Sequence, residues 1–291
     1  MIFPTLVQVI FLFALSLGGA LINIVGGGGS GTIILPSLVL VFSQHPSVLI
    51  GSIFFMYLVV TLTGYAIYSR RRLVNQKSGL ILSVPCIPGI VLGTLLNNSI
   101  SSTQFKIGLG IVTLVFATLI FMSSNESGNK KPDEQSDSVI RLQENSDALT
   151  YDLKEKSAAV QKAFALNKNT LIKGLAIMFG ASLLNGMFGA GASLVIVPSM
   201  ILIMKLPSLT ALATGQLVLS ILNLSGFVVH IGMSAVDYPF AAILGIGAMA
   251  GSYLGTRLVL RLSPTRLRKA MSILLIVIAT ALIAPVAVAI L

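Results

Sequence analysis

Long apolar runs make up almost the whole chain and leave one polar interruption. The runs cover residues 4–25, 32–43, 47–69, 79–98, 104–122, 171–188, 192–205, 209–232, 239–260 and 270–290. Most of them approach the length of about 20 residues that a helix needs to cross the hydrocarbon core of a bilayer. Because lipid cannot form hydrogen bonds with the backbone, such segments must be helical. The pattern predicts an all-α polytopic membrane protein.

The charged residues lie outside these runs. Of nine Asp and Glu residues, eight fall in residues 123–170, and the ninth is Asp237. The mixed charge of 123–170 predicts a solvated linker, disordered in its first part, with an amphipathic surface helix near 149–166 as the alternative for its second part. The net charge of +10 comes largely from basic residues that flank apolar runs, where the positive-inside rule accounts for them. We therefore expect the lipid bilayer as a partner, and no nucleic acid.

The chain is a tandem duplication in which residue n corresponds to residue n + 162 without a gap. The matched pairs include Gly18 with Gly180, Asn23 with Asn185, Gly27 with Gly189, Gly29 with Gly191, Pro36 with Pro198, Gly64 with Gly226, and Gly89 with Gly251. Chance similarity between apolar segments would pair Leu with Val, but not Gly, Pro and Asn in one register. We predict two repeats, residues 1–122 and 171–291, joined by the linker 123–170.

Equivalent loops of the two repeats differ in charge. Loop 70–77 is strongly basic, whereas its counterpart carries only Asp237; loop 99–103 is uncharged, whereas its counterpart is basic. The basic residues are Arg70, Arg71, Arg72 and Lys77 in the first repeat and Arg261, Arg266, Arg268 and Lys269 in the second. By the positive-inside rule, equivalent loops then lie on opposite sides of the membrane. The sequence therefore predicts inverted-topology repeats.

Inversion requires an odd number of crossings in each repeat, provided that the linker stays on one side. Three transmembrane helices plus one helical hairpin that returns to its own side satisfy this requirement. The hairpins would be residues 4–43 and 171–205, each with a glycine-rich tip, and the sequence leaves open whether they span the membrane fully or stop part-way. This arrangement predicts a cytoplasmic linker and periplasmic termini.

The two tips read NIVGGGGSGT over residues 23–32 and NGMFGAGAS over residues 185–193. A break inside apolar helices exposes amides that lipid cannot satisfy, so it must be buried in protein or line a polar cavity. A helix that begins after such a break directs free amides and the positive end of its dipole into that cavity, which suits an anion. Broken helices at corresponding positions of inverted halves indicate a transporter's binding site. Close packing of the helices is the alternative reason for the glycines.

The candidate substrate-binding residues supply backbone amides, side-chain amides or hydroxyls. At the tips they are Asn23, Gly27, Gly28, Gly29, Ser30 and Thr32 in the first repeat and Asn185, Gly189, Ala190, Gly191 and Ser193 in the second. Ser52, its counterpart Thr214, and Gln216 are polar residues inside apolar runs that we expect to face the same cavity, with packing as the alternative. For His230 a hydrogen-bonded packing role and contact with a proton or substrate both stay open.

No Asp or Glu lies within an apolar run. Cation-coupled carriers usually keep a carboxylate in the membrane, so an anionic cargo is predicted. An intramembrane enzyme would need paired acids, a nucleophile with its base, or metal ligands, which these runs lack. The sequence therefore predicts no enzyme, no catalytic residue, no metal site and no cofactor. An anion channel would share these features and stays an alternative to a carrier.

Several stretches resemble one known family. The segments GGGGSGTIILP, GAGASLVIVP and ALATGQ, together with GAMAGSYLGTRLVLRLSPTRLRKAMSILL, are similar to the sulfite exporter TauE/SafE family, and the resemblance covers residues 5–122 and 171–290. It implies a multi-pass carrier of the bacterial inner (plasma) membrane for sulfite, organosulfonates or related small anions. The paired tips of the inverted halves predict transport by alternating access. Where the family usually reads G-T-S, this chain has Gly51-Ser52-Ile53 and Ala213-Thr214-Gly215. The hydroxyls of Ser52 and Thr214 are kept, but the serine that follows in the family is absent from both. Another small organic anion as cargo, and assembly into a homo-oligomer, stay open.

Overall fold

The structure is a computed structural model that describes residues 6–26, 30–42, 44–126, 168–204, 206 and 208–258. These residues form ten helices. They are α1 Leu6–Gly26, α2 Gly31–Val41, α3 Pro46–Arg70, α4 Gln76–Ser83, α5 Cys86–Asn98, α6 Ser102–Glu126, α7 Lys168–Phe188, α8 Ala192–Leu202, α9 Ser208–Gly232 and α10 Tyr238–Leu258. The all-α prediction is confirmed for these residues, while most of the linker and the predicted run 270–290 lie outside them.

Five segments of the described chain are long and apolar enough to cross a bilayer. They are α3, α4 together with α5, α7, α9 and α10. Large apolar side chains cover the outside of these helices, for example Leu80, Ile87, Val228 and Ile246, which are all exposed. An apolar outer surface of this kind suits contact with lipid, so the protein is embedded in a membrane.

Helix boundaries repeat along the chain with the same offset as the sequence. Helices α1 and α7 begin and end 162 residues apart, as do α3 and α9, and α4 and α10 begin 162 residues apart. The second helix of each hairpin, α2 or α8, has eleven residues. At 1.5 Å per residue each is about 16 Å long, roughly half the thickness of a hydrocarbon core. Each of these two helices is therefore too short to cross the whole hydrocarbon core by itself.

The first helix of each repeat packs against a helix of the other repeat. Helix α1 packs along α10 of the second repeat, and α7 packs along α5 of the first. Glycines permit both close approaches: a methyl group on Gly89 would lie 2.7 Å from the carbonyl oxygen of Phe179, and one on Gly251 would overlap that of Leu17. Gly89 corresponds to Gly251, and Leu17 to Phe179, so the two contacts are equivalent and the repeats are related by a pseudo-two-fold axis.

The long helices α3 and α9 pack against each other in opposite directions. From one end to the other, the facing pairs are Gly51 with His230, Phe55 with Phe227, Thr61 with Asn223, and Gly64 with Gln216. The residue number rises along α3 while that of its partner falls along α9, so the two helices are antiparallel. Thr61 and Asn223 are counterparts, 162 residues apart, with the Nδ2 of Asn223 3.5 Å from the Oγ1 of Thr61. The pseudo-two-fold axis passes between them, near the middle of both helices.

Candidate functional site

A small cavity lies where the two glycine-rich tips meet the middle of α3 and α9. Its lining consists of Asn23, Ser30, Gly31, Tyr57, Thr61, Asn185, Ala190, Gly191, Ala192, Ser193, Leu219 and Asn223. We call it the central cavity. Its volume is about 30 Å³, enough for roughly two water molecules. None of these lining residues carries a charge. Their polar side chains are amides and hydroxyls, which can donate and accept hydrogen bonds.

The lining of the central cavity is organised by the repeat. Its residues form the counterpart pairs Asn23 with Asn185, Ser30 with Ala192, Gly31 with Ser193, Tyr57 with Leu219, and Thr61 with Asn223. Ala190 and Gly191 correspond to Gly28 and Gly29, which lie outside the described residues. Because ten of the twelve lining residues form counterpart pairs, the cavity lies on the pseudo-two-fold axis.

Two helix N-termini line the cavity. Helix α2 begins at Gly31 and α8 at Ala192, and both residues line the cavity. The first turn of a helix has amides with no acceptor one turn back, and it carries the positive end of the helix dipole. The two tips are in contact here, because a methyl group on Gly31 would lie 3.5 Å from the Cα of Ala190. The arrangement concentrates donor groups and positive potential in one buried space without placing a cation there.

Asn23 and Ser30 form a hydrogen-bonded pair at the first tip. The Nδ2 of Asn23 donates to the Oγ of Ser30 at 2.8 Å, and both residues are buried. Since Ser30 accepts in this bond, its own hydroxyl hydrogen stays available to a guest. Neither the Oδ1 of Asn23 nor the hydroxyl of Tyr57 has a partner within the part of the chain that the structure describes. The first repeat therefore presents several unused polar groups to the cavity.

The second tip depends on left-handed glycines. Gly189 has φ of +62° and Gly191 has φ of +96°, conformations that cost other residues about 1–2 kcal/mol. A methyl group on Gly189 would lie 2.9 Å from Leu35 and 3.0 Å from Ile50. The second tip is therefore packed tightly on α2 and α3 of the first repeat. Gly189 contributes to this packing and does not line the cavity.

The structure brings together most of the predicted tip residues that it describes. Asn23, Ser30, Asn185, Ala190, Gly191 and Ser193 line the central cavity. Gly27, Gly28 and Gly29 lie outside the described residues, and Thr32 is placed only as the second residue of α2. Gly189, Ser52, Thr214 and Gln216 are not part of the lining.

Ser52 and Thr214 each accept a hydrogen bond from the backbone of the other repeat. The Oγ of Ser52 accepts from the amide of Asp237 at 3.1 Å, and the Oγ1 of Thr214 accepts from the amide of Asn75 at 3.0 Å. These are equivalent bonds, since Asn75 corresponds to Asp237. The expectation that both hydroxyls would face the cavity is not met: Ser52 holds the start of α10, and Thr214 holds the start of α4.

Gln216 and His230 lie on α9 but outside the lining. The Oε1 of Gln216 is buried without a partner among the described residues, and the side chain packs against Gly64. The Nδ1 of His230 lies 2.8 Å from the carbonyl oxygen of Gly226, and its ring packs 5.3 Å from that of Phe54. Both side chains pack in the interface between α3 and α9, as the packing alternative predicts for these two residues.

Six lining residues were not anticipated from the sequence: Gly31, Tyr57, Thr61, Ala192, Leu219 and Asn223. Asn223 had the same signal as Gln216, an uncharged polar side chain inside an apolar run. Tyr57 and Thr61 are one helical turn apart and share a face, but nothing in the sequence says where along α3 the tips arrive. That point is fixed only by the crossing of α3 and α9.

The composition of the site limits its chemistry. Within the described ranges, no group of three or more His, Cys, Asp and Glu residues could hold a metal ion. The cavity instead offers amides and hydroxyls at the middle of apolar helices that cross the membrane. A bundle of this construction, with paired half-helices pointing into a buried polar site, is typical of a polytopic membrane transporter.

Comparison with known proteins agrees with this class. The profile of the family described as "Sulfite exporter TauE/SafE" matches residues 11–282, so the chain belongs to this family of membrane transporters. It is also 26% identical over 274 residues to the Bacillus subtilis (strain 168) protein called "Probable membrane transporter protein YunE", with 92% of this chain and 94% of that protein covered. No solved structure matches the chain.

Proposed function

We propose that the chain is a secondary carrier that exports a small sulfur-containing oxyanion, such as sulfite or an organosulfonate, and that the anion binds in the central cavity. The family to which the chain belongs supports the class of cargo. The observation that carries the proposal is the convergence of the α2 and α8 N-termini on a buried cavity whose described lining has no acidic side chain. Backbone amides at helix N-termini bind anions without a positively charged side chain.

The polar groups of the cavity suit a guest that must be released again. Hydrogen bonds to a charged group each stabilise by roughly 1.5–3 kcal/mol, and the hydroxyl of Ser30 and the amides of Asn23 and Asn185 are placed to supply them. No Lys or Arg lies in the described lining, so the anion would not form a strong ion pair. Binding by several neutral donors replaces the hydration of the anion while keeping the affinity moderate.

The central cavity is smaller than a typical small-molecule site. Small-molecule sites usually have roughly 300–1,000 Å³, and the central cavity has about 30 Å³. The two tips touch at Gly31 and Ala190, so the tips must move apart to admit an oxyanion. Because each tip packs on the other repeat, movement of one repeat relative to the other would open the cavity.

We also propose that the two repeats are inverted across the membrane, with the linker in the cytoplasm and the termini in the periplasm. The antiparallel packing of α3 and α9, both long enough to span, supports this topology. The exchange of basic charge between equivalent loops supports it independently. With the pseudo-two-fold axis in the membrane plane, exchange of the two repeat conformations would convert an inward-facing cavity into an outward-facing one.

Flux through reconstituted protein tests the proposed function. The full-length chain is placed in liposomes, and the efflux of sulfite and of methanesulfonate is measured against protein-free liposomes. We expect a saturable flux that is stimulated by the same anion on the opposite side. Absence of flux for both anions would overturn the proposal, and a non-saturating current without counterflow would identify a channel instead.

Two variants connect the flux to the cavity. Asn185→Leu and Asn23→Leu remove an amide from the lining, and we expect at least about tenfold weaker apparent affinity, because a buried hydrogen bond to a charge is lost. Ser225→Ala is the matched control: Ser225 lies on α9, outside the lining, and its Oγ donates to the carbonyl oxygen of Ile221 at 2.9 Å. Equal transport by all four proteins would place the binding site elsewhere.

A further inference from the structure

Tyr57 and Leu219 are the most unequal counterpart pair of the central cavity. Both line it and both are buried, at 7% and 4% exposure. One carries a phenolic hydroxyl and the other has no polar group. The two positions are equivalent in the repeat, but the cavity is polar at Tyr57 and apolar at Leu219.

The hydroxyl of Tyr57 lies at the N-terminus of α2. A methyl group on Gly31, the first residue of that helix, would lie 2.7 Å from the hydroxyl oxygen. The ring is held in place by an edge contact with Phe54, with centroids 6.4 Å apart and planes at 88°. The carbonyl oxygen of Tyr57 accepts from the Oγ1 of Thr61 at 2.8 Å. The hydroxyl is therefore positioned beside the backbone at the start of α2.

This hydroxyl has no hydrogen-bond partner among the residues that the structure describes. A buried polar group without a partner destabilises the folded state relative to an apolar group of the same shape. Phenylalanine would fill the same space without that penalty. The tyrosine is explained if the hydroxyl acquires its partner only when the cavity holds a guest.

We propose that Tyr57 is a specificity-determining residue, whose hydroxyl donates to an oxygen of the bound anion at the N-terminus of α2, while Leu219 contacts the uncharged part of the guest. This inference rests on the proposed function. It assigns a direction to a site that the repeat would otherwise make two-fold symmetric. An anion with one apolar substituent is bound in a single orientation, with its charged oxygens towards Tyr57.

Tyr57→Phe tests the hydroxyl alone. In liposomes we expect the KM for ethanesulfonate efflux to rise about tenfold with kcat little changed, the pattern of a lost binding interaction. The melting temperature of the purified empty protein should stay the same or rise, because the unpartnered hydroxyl has gone. An unchanged KM, or a lower melting temperature together with weaker transport, would show a structural role and overturn the inference.

Variants at the counterpart position test the asymmetry. Leu219→Tyr alone replaces the apolar wall, and we expect it to weaken ethanesulfonate binding more than sulfite binding. Combining Leu219→Tyr with Tyr57→Leu moves the hydroxyl across the axis and should recover part of the affinity that Tyr57→Leu loses. Equal effects of Leu219→Tyr on both anions would contradict the proposed orientation.

The outcomes separate this inference from the proposed function. If the unmodified protein moves neither anion, the proposed function fails. If it moves them and Tyr57→Phe behaves as the unmodified protein does, only the role of Tyr57 fails. Anion-dependent rises in melting temperature, measured with the same two anions in detergent, provide a second reading of affinity that does not depend on reconstitution.

Discussion

The two repeats share a geometry but differ in the chemistry they bring to the centre. Where one repeat holds the other, the type of bond is preserved: Ser52 and Thr214 both accept from a backbone amide of the opposite repeat. Inside the central cavity the counterpart pairs differ in chemistry: Tyr57 corresponds to Leu219, and Ser30 corresponds to Ala192. Each contact between the repeats occurs twice, once from each repeat, so both copies need the same type of bond. A guest bound on the axis contacts both repeats at the same time, so the two repeats can contribute different groups to it. The side chains that line the cavity can therefore differ between the repeats, whereas the contacts between the repeats stay equivalent.

The glycine contacts between repeats offer the strongest test of the shared geometry. Gly89→Ala and Gly251→Ala each direct a methyl group against a backbone carbonyl of the facing helix, and overpacking of this kind typically costs 1–3 kcal/mol. We expect losses of about 2–3 kcal/mol at both positions, measured by denaturation in detergent. Gly18→Ala and Gly180→Ala, counterparts with no heavy atom within 4 Å, are the controls and should change little. A large loss at only one of the two contacts would break the equivalence.

The hydroxyls that bridge the repeats should matter for stability and not for binding. Ser52→Ala and Thr214→Val remove the hydroxyl oxygens that accept from the amides of Asp237 and Asn75, which should cost about 1–2 kcal/mol each. The KM for anion efflux should stay within about twofold. An unchanged stability, or a selective loss of anion affinity, would indicate that Ser52 and Thr214 belong to the binding site.

The pair on the axis allows an exchange experiment. Thr61 and Asn223 face each other and are counterparts, so Thr61→Asn with Asn223→Thr recreates the same pair in the opposite orientation. We expect the single variants to destabilise and the double variant to recover about 1 kcal/mol of coupling, measured by a double-mutant cycle. Additive losses in the double variant would mean that the two residues are not coupled across the axis.

The smallest expected effects concern helix caps. The Oδ1 of Asn75 accepts from the amide of Ser78, and the Oδ1 of Asp237 from the amide of Phe240, both at 3.2 Å. Asn75→Ala and Asp237→Ala should each cost about 1 kcal/mol in thermal denaturation. Asp237→Asn keeps the cap and should be close to neutral; a loss as large as that of Asp237→Ala would show that the charge matters more than the cap.

The helical architecture was largely predictable because it depends on local properties of the chain. The predicted runs 47–69 and 209–232 correspond to α3, Pro46–Arg70, and α9, Ser208–Gly232. Apolar length, proline and glycine decide where such helices begin and end. The duplication was equally visible, because paired Gly, Pro and Asn in one register are independent of the apolar background.

The individual residues of the site were harder to predict, for a reason specific to membranes. In a soluble helix, polar and apolar faces reveal which side is buried. In α3 and α9 both the lipid-facing and the protein-facing sides are apolar, so the sequence gives no period from which to read the inner face. Ser52 and Thr214 were therefore expected in the cavity, and Tyr57, Thr61 and Leu219 were overlooked.

By itself the sequence determined the helices, the two repeats and the donor-rich tips, since each of these follows from short-range composition or from comparison of the chain with itself. The tertiary structure decided where the tips meet. The antiparallel crossing of α3 and α9 puts Thr61 and Asn223 on the axis, and that crossing brings the hydroxyl of Tyr57 to the N-terminus of α2. Packing between segments far apart in the chain sets this register, and the register selects which polar groups share one cavity.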